Sequence, residues 1–436
     1  MAKSHNFPSN KITIIAELGT CIYAVKPIVK ECVKRGFEID LYTEESNVEK
    51  TKNYLHDLPL NILSTSTLMS RWPSLFDYVF KQLITKNTFS TQYARLAPSN
   101  NKLLSIIYKC AKYFPKPNQK KINNIYHKFW RLVNRKPVFN SKKVLVITRT
   151  NNTYYLNNRN HLVYSIMESW DHPVKSPFYF LSEVTFTWNA SLSDDMRTFQ
   201  NSSKHYSEIF PLKFRYLQQI VSPPQINSVA LQKEIDFVNT QPYVLYICTY
   251  SGYSKGDLFQ NELKLISKIK EQCDKAGKFL YIKPHPHYSA SDFDSLSSSH
   301  NLRVGIGATN NGTNYIFTDD DQYYKIQLLK NAEKIINVGT TLVLEASLLN
   351  ENVYQLKINS PNYGSFARAC ENYHIAKYLN SYSEIIDLTC GEEGSKIEAM
   401  MKEEKGSNHY AAQIKKWLFN EEIETSINKI VKEISK

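Results

Sequence analysis

YVLYICT at residues 243–249, FLYIKPHPH at 279–287 and IINVGTTLVLEASLL at 335–349 decide how this chain folds. Each begins with a short apolar run, the pattern of a strand buried on both faces. Residues 258–276 carry apolar side chains at helical spacing between the first two runs, and residues 341–349 continue the third as a helix. Strands alternating with helices predict a parallel sheet covered on both sides. Ligands of such sheets bind beyond the carboxyl ends of the strands, and polar residues gather there. Thr249 ends the first run with Ser251 and Lys255 after it, Pro284-His285-Pro286-His287 follow the second, and Gly339-Thr340-Thr341 the third. Further strands are expected at 315–317 and 353–357, and charged helices over 396–436.

Working towards the N-terminus, a similar block appears. Residues 12–16 (ITIIA) read as a strand, 17–23 as a turn, 25–35 as a helix stopped by Gly36, and 37–42 (FEIDLY) as the next strand. The turn lacks G-x-G-x-x-G, so the dinucleotide fingerprint is absent. Residues 50–140 are expected to be mostly helical, and strands return at 144–148, 161–167 and 184–188. The turn-rich passage 211–224 reads as a linker. These features predict a first α/β domain over 1–225 with a basic helical insertion, a second α/β domain over 226–405, and helices over 406–436 packing back on the first domain.

Composition narrows the classes of function. Hydrophobic residues make up 42% and charged residues 22% of 436, which excludes a disordered or collagen-like chain. A net charge of +13 asks for an anionic partner: nucleic acid, a membrane surface or a phosphorylated substrate. No nucleic-acid-binding module is present, so we expect no nucleic-acid partner. Basic residues crowd 112–143, with Tyr113, Phe114, Tyr126, Phe129 and Trp130 among them, as at an anionic bilayer surface with rings at headgroup level. The alternative is a solvated helix whose aromatics pack inward. Seven scattered cysteines form no C-x-x-C pair, which argues against a zinc site or a disulfide framework. No apolar leader and no spanning segment are read, so the expected location is the cytoplasm, with peripheral attachment to the inner membrane open.

Each strand-end group has a chemical use. Gly339, Thr340 and Thr341 open a helix, where free N–H groups, hydroxyls and the positive helix end suit a phosphate. Glu345, one turn on, can accept from ribose hydroxyls. His285 is stiffened by prolines on both sides and can bond a phosphate oxygen or leaving group. Lys283 adds charge.

Lys283-Pro284-His285-Pro286 and Gly339-Thr340-Thr341 with Glu345-Ala346 resemble motifs of the GT-B glycosyltransferases, above all bacterial enzymes of capsule, lipopolysaccharide and teichoic-acid synthesis. The His285-Pro286 pair is similar to the HP motif of sialyltransferases and capsule Kdo transferases, which implies binding of a CMP-linked donor. Glycerophosphotransferases that use CDP-glycerol have a similar arrangement. The resemblance covers mainly residues 240–360. It implies two Rossmann-like domains facing across a cleft, and a nucleotide site built from Thr249, Ser251, Lys283, His285, Pro286, Gly339, Thr340, Thr341 and Glu345. It also implies a lipid-linked or anionic glycan acceptor, and no cofactor or required metal. Glu168-Ser169-Trp170-Asp171, continuing to Lys175 and then to Trp188-Asn189, resembles an acceptor-side segment of surface-polysaccharide glycosyltransferases, with Glu183 where that pattern has Asp. Asp171, Glu17 and Glu168, in that order, are the candidate catalytic carboxylates. Asp319, Asp320 and Asp321 mimic a D-x-D metal motif, but helix N-terminal charge is the simpler reading. His56, His127 and His374 are read as structural or surface residues. A UDP-sugar donor and a sugar-nucleotide epimerase of related fold are the competing readings.

Overall fold

A computed structural model describes residues 7–68, 119–134, 136–147, 154–169, 181–200, 202–220, 222–249, 257–285, 288–296, 300–306, 318–358, 386–388, 391–404, 409–418 and 421–436. The chain divides into two compact units. One holds Met1–Arg215, Thr313–Ile316 and Phe419–Lys436; the other holds Tyr216–Gly312 and Phe317–Leu418.

The first unit is built on seven parallel strands in the order β3-β2-β1-β4-β5-β6-β7. They are β1 Lys11–Ile15, β2 Glu38–Thr43, β3 Asn61–Ser64, β4 Lys143–Ile147, β5 Leu162–Ile166, β6 Ser182–Thr187 and β7 Ser203–Glu208. Ile12, Ile14, Ile15 and Val144 to Ile147 are fully buried, so the central strands read as unbroken apolar runs. The edges behave differently. β3 (NILS) and β7 (SKHYSE) are polar and half-exposed, and neither announces itself by hydrophobic pattern. The expectation of mostly helix over 50–140 therefore fails at β3. It holds at Val48–Tyr54 and Gln119–Val133, and the intervening residues 69–118 lie outside the described residues.

The helix Gly19–Lys34 crosses from β1 to β2 and contains Pro27. Pro27 has no N–H, so the carbonyl of Tyr23 loses its helical donor. Arg215 supplies one: its Nε donates to Tyr23 O at 3.3 Å, and its guanidinium lies 4.0 Å from the Tyr23 ring centre. The final helix, Ile423–Ser435, buries Ile423, Ile427, Ile430, Val431 and Ile434 on one stripe. It packs in this first unit. Arg35 Nη2 donates to Asn428 Oδ1 at 2.7 Å, and Lys143 Nζ to Ser435 O at 2.8 Å. The helix before it, Tyr410–Trp417, belongs to the second unit.

The second unit carries six strands in the order β10-β9-β8-β11-β12-β13. They are β8 Tyr243–Ile247, β9 Phe279–Lys283, β10 Leu302–Val304, β11 Lys334–Asn337, β12 Val353–Ile358 and β13 Ile386–Leu388. All pairings are parallel. Its core joins Val244, Tyr246, Leu280 and Ile282 of the sheet to Phe259, Ile266, Ile269 and Cys273 of the helix Asp257–Lys275. β10 and β13 are three residues long, too short for periodicity to register. The strand expected at 315–317 lies outside the described residues.

In both units the chain builds the sheet outward in one direction, returns to the centre and continues in the other. The reversal points fall between β1 and β4 and between β8 and β11. Open parallel sheets bind ligands beyond the strand ends at such a point.

Candidate functional site

In the second unit, Tyr246 of β8 aligns with Ile282 of β9 and Ile336 of β11. Thr249, His285 and Gly339 each lie three residues beyond that line. Strand register thus carries three expected site residues to one sheet edge, flanking the reversal point. Ser251 and Pro286 lie outside the described residues.

Gly339 has φ 121°, a left-handed conformation open to glycine. Its N–H donates to Asn337 Oδ1 at 2.9 Å, and Asn337 is anchored in turn to Tyr354 O at 3.1 Å. Thr340 Oγ1 accepts from Leu342 N at 3.4 Å. Thr341 precedes the helix Leu342–Leu349 without capping it by its side chain. Glu345 on this helix does not stand alone. Lys325 Nζ approaches its Oε2 at 2.7 Å, the Tyr216 hydroxyl donates to the same oxygen, and Lys325 lies 4.2 Å from the Tyr216 ring centre. A ribose bound here would share Glu345 with these two partners.

Lys283 ends β9, and its Nζ donates to Ile306 O at 3.1 Å. Burial, with repulsion from Lys325 adding to it, pulls this ammonium down to about 8. An incoming anion would favour its charged form. The His285 ring sits 6.2 Å from that of Tyr288, whose N–H donates to His285 O at 2.8 Å.

Sequence reasoning missed Glu262. It is fully buried on the helix Asp257–Lys275, and its Oε1 accepts from Thr249 N at 2.7 Å and from the Tyr246 hydroxyl at 3.1 Å. Burial pushes its carboxyl up to about 8. The neighbouring Cys248 thiol is pushed up by burial first and by Glu262 second. Glu262 therefore fixes the second N–H group after β8, that of Thr249, at the edge where a ligand would sit. A signal was available. Glu262 shares the i, i+4, i+7 stripe with the buried Ile266 and Ile269, and a lone carboxylate on a core-facing stripe needs a reason.

In the first unit, Glu17 follows β1 at the other reversal point. Its carbonyl accepts from Thr43 Oγ1 and Asn47 Nδ2, each at 3.0 Å, and from Glu44 N at 3.3 Å. Its backbone is thus held by three donors. Burial, with the Glu44 carboxylate adding to it, pushes the Glu17 carboxyl up to about 7. Glu168 is buried just past β5, two strands from β1 in the same sheet, or ~10 Å by strand spacing. Asp171 lies outside the described residues. Glu183 pairs with Lys204 Nζ at 2.6 Å between β6 and the edge strand β7.

Asp321 completes a capping box: its Oδ2 accepts from Thr318 N at 3.0 Å, and its N–H donates to Thr318 Oγ1 at 3.2 Å. This matches the reading of Asp319 to Asp321 as helix N-terminal charge. Among the described residues, no group of three His, Cys, Asp or Glu side chains gathers at metal-binding distance. His127 is buried with Nδ1 2.9 Å from Asn157 Oδ1, and burial lowers it to about 4, as suits a structural histidine. His56 bonds locally to Asn53 O at 2.8 Å, and His374 lies outside the described residues.

One expectation needs correcting. The aromatics Tyr126 and Trp130 of the basic stretch are 0% and 1% exposed, so they fill the interior and cannot meet a bilayer. Ring burial gains more from apolar contact than from a half-wet surface.

No protein-family description matches the chain, and no curated protein matches it in sequence. Solved structures do match in shape. The chain is similar to UGT89C1 of Arabidopsis thaliana complexed with UDP, at 10% identity and TM-score 0.50, over 98% of this chain and 100% of that one. It is similar to UDP-GlcNAc 2-epimerase of Methanocaldococcus jannaschii in complex with UDP-GlcNAc and UDP, at 14% identity and TM-score 0.50, over 98% and 99%. At these identities the likeness shows the fold, two parallel-sheet α/β domains of the GT-B class.

Proposed function

We propose that the chain is a sugar-nucleotide enzyme, a glycosyltransferase that binds its donor on the second unit. The observation that carries this reading is the alignment of Thr249, His285 and Gly339 along one edge at the reversal point, with Lys283 beside them and a helix opening at Leu342. Helix end, lysine and imidazole would stabilise the departing phosphate without a metal. Glu17 is the favoured base in the first unit, because a carboxyl held near 7 can take a hydroxyl proton at neutral pH. Glu168 and Asp171 are the alternatives.

The favoured donor is a CMP-linked sugar acid such as Kdo or sialic acid, on the strength of His285-Pro286. The acceptor would be a growing capsule or lipopolysaccharide glycan at the cytoplasmic face of the inner membrane. A second reading, a UDP-sugar transferase or an epimerase, draws support from the similar solved structures, which hold UDP or UDP-GlcNAc. A thermal-shift titration with CMP, CDP, UMP, UDP and GDP separates these. A rise with CMP that His285→Ala abolishes supports the first reading. A rise with UDP alone moves the donor to uridine. No rise with any nucleotide sinks the sugar-nucleotide reading.

A further inference from the structure

Residues 78–167 contain 17 Lys and Arg and not one Asp or Glu, so the remainder of the chain nets −4. The net positive charge of the protein is therefore carried by this stretch of the first unit. Within it, the helix Gln119–Val133 turns Tyr126, His127 and Trp130 inward. Its opposite face presents Lys121, Ile125, Lys128 and Leu132 at i, i+4, i+7 and i+11, and Val133 ends the helix about 100° round from Leu132. Ile125, Leu132 and Val133 are 49%, 54% and 52% exposed. Only Leu63 and Val229 share that distinction among large hydrophobic side chains of the described residues.

We propose that this face docks on an anionic lipid surface, with the three aliphatic side chains entering the headgroup–acyl boundary and the lysines meeting lipid phosphates. Two chemistries on one face select the partner. Lysines alone would suit any polyanion, nucleic acid included. Branched aliphatics gain nothing from a phosphate backbone, whereas a bilayer offers both an anionic headgroup layer and hydrocarbon beneath it. Lysine stems can lie along the apolar stripe while their ammonium groups stay in water. Acceptor-side location at a membrane, part of the reading above, is thereby given a surface. The docking is independent of the donor site and is measured without nucleotide.

The full chain is sedimented with vesicles of phosphatidylcholine, with and without about one-third phosphatidylglycerol. Binding is expected only with the anionic lipid, and weaker as salt rises. Replacing Ile125, Leu132 and Val133 together by serine should weaken it at least about tenfold at unchanged melting temperature, since each side chain buries apolar area. Lys121→Gln and Lys128→Gln, which leave the stripe intact, should each cost about fivefold at low salt. Failure to sediment overturns the proposal. So does a serine variant that folds and binds vesicles as the wild type does. Tighter binding to a single-stranded RNA oligonucleotide than to vesicles, unaltered by the serine changes, would assign the surface to nucleic acid instead.

Discussion

The two sheet edges are built on one strand order and filled with opposite electrostatics. At the edge after β1, the dominant group is Glu17, buried near Glu44 and pushed up to about 7. At the edge after β8 and β9, Lys283 is pulled down to about 8 beside Lys325, and Glu345 pairs with Lys325 and accepts from the Tyr216 hydroxyl. One edge holds a carboxyl that burial shifts towards its protonated form. The other gathers Lys283, the Lys325–Glu345 pair and the buried Glu262. The strand order repeated in two units is therefore a scaffold, and the chemistry lies in which side chains burial has shifted from their ordinary state.

The largest expected effect breaks this contrast at the first edge. Glu17→Gln removes the proposed base and should lower turnover by about 10²- to 10⁴-fold, with nucleotide-induced thermal shifts unchanged. A variant with full activity would move the base to Glu168 or Asp171. At the second edge, Glu262→Gln keeps an acceptor for Thr249 N–H but cannot ionise. The folded-state value of Glu262 lies above that of the unfolded chain, so its favourable contribution is complete at low pH. It is lost as pH rises from about 4.5 through about 8. Between pH 5 and pH 9 the stability of the variant relative to wild type should improve by on the order of 2–4 kcal/mol. A gap that stays constant with pH would mean Glu262 is already ionised in the folded protein.

A smaller effect tests the support beneath that edge. A Cβ on Gly305 would lie 2.5 Å from the Tyr281 hydroxyl. That hydroxyl bonds Glu234 Oε2 at 2.5 Å and Tyr324 at 2.6 Å, and Arg303 pairs with the same carboxylate at 2.8 Å. Gly305→Ala should cost about 1–3 kcal/mol in denaturant unfolding, because a buried, fully bonded phenol has nowhere to move. The least effect is expected from Glu183→Ala. Its pair with Lys204 is half-exposed on an edge, so stability should shift by under about 0.5 kcal/mol. Turnover should stay at the wild-type value. Lost activity there would place Glu183 in the acceptor site.

Central strands were legible because burial on both faces demands unbroken apolar runs, as in YVLYI and FLYIK. Edge strands β3 and β7 were not, because they answer to pairing and solvent together. The strand-end groups Thr249, His285 and Gly339 were legible from their order after strands. Glu262 was passed over because a glutamate in an amphipathic helix looks like any solvated one until the core-facing stripe is traced.

By itself, then, the sequence determined two α/β blocks, their central strands and the polar segments that follow them, since these depend on local pattern. Tertiary structure alone decided the order of strands and the register that aligns residues 249, 285 and 339. It also decided which charges are buried and what they pair with. Those outcomes rest on contacts between residues far apart in the chain, such as Tyr216 with Glu345 or Thr249 with Glu262. No periodicity encodes them, because burial and pairing arise only when separate segments share one core.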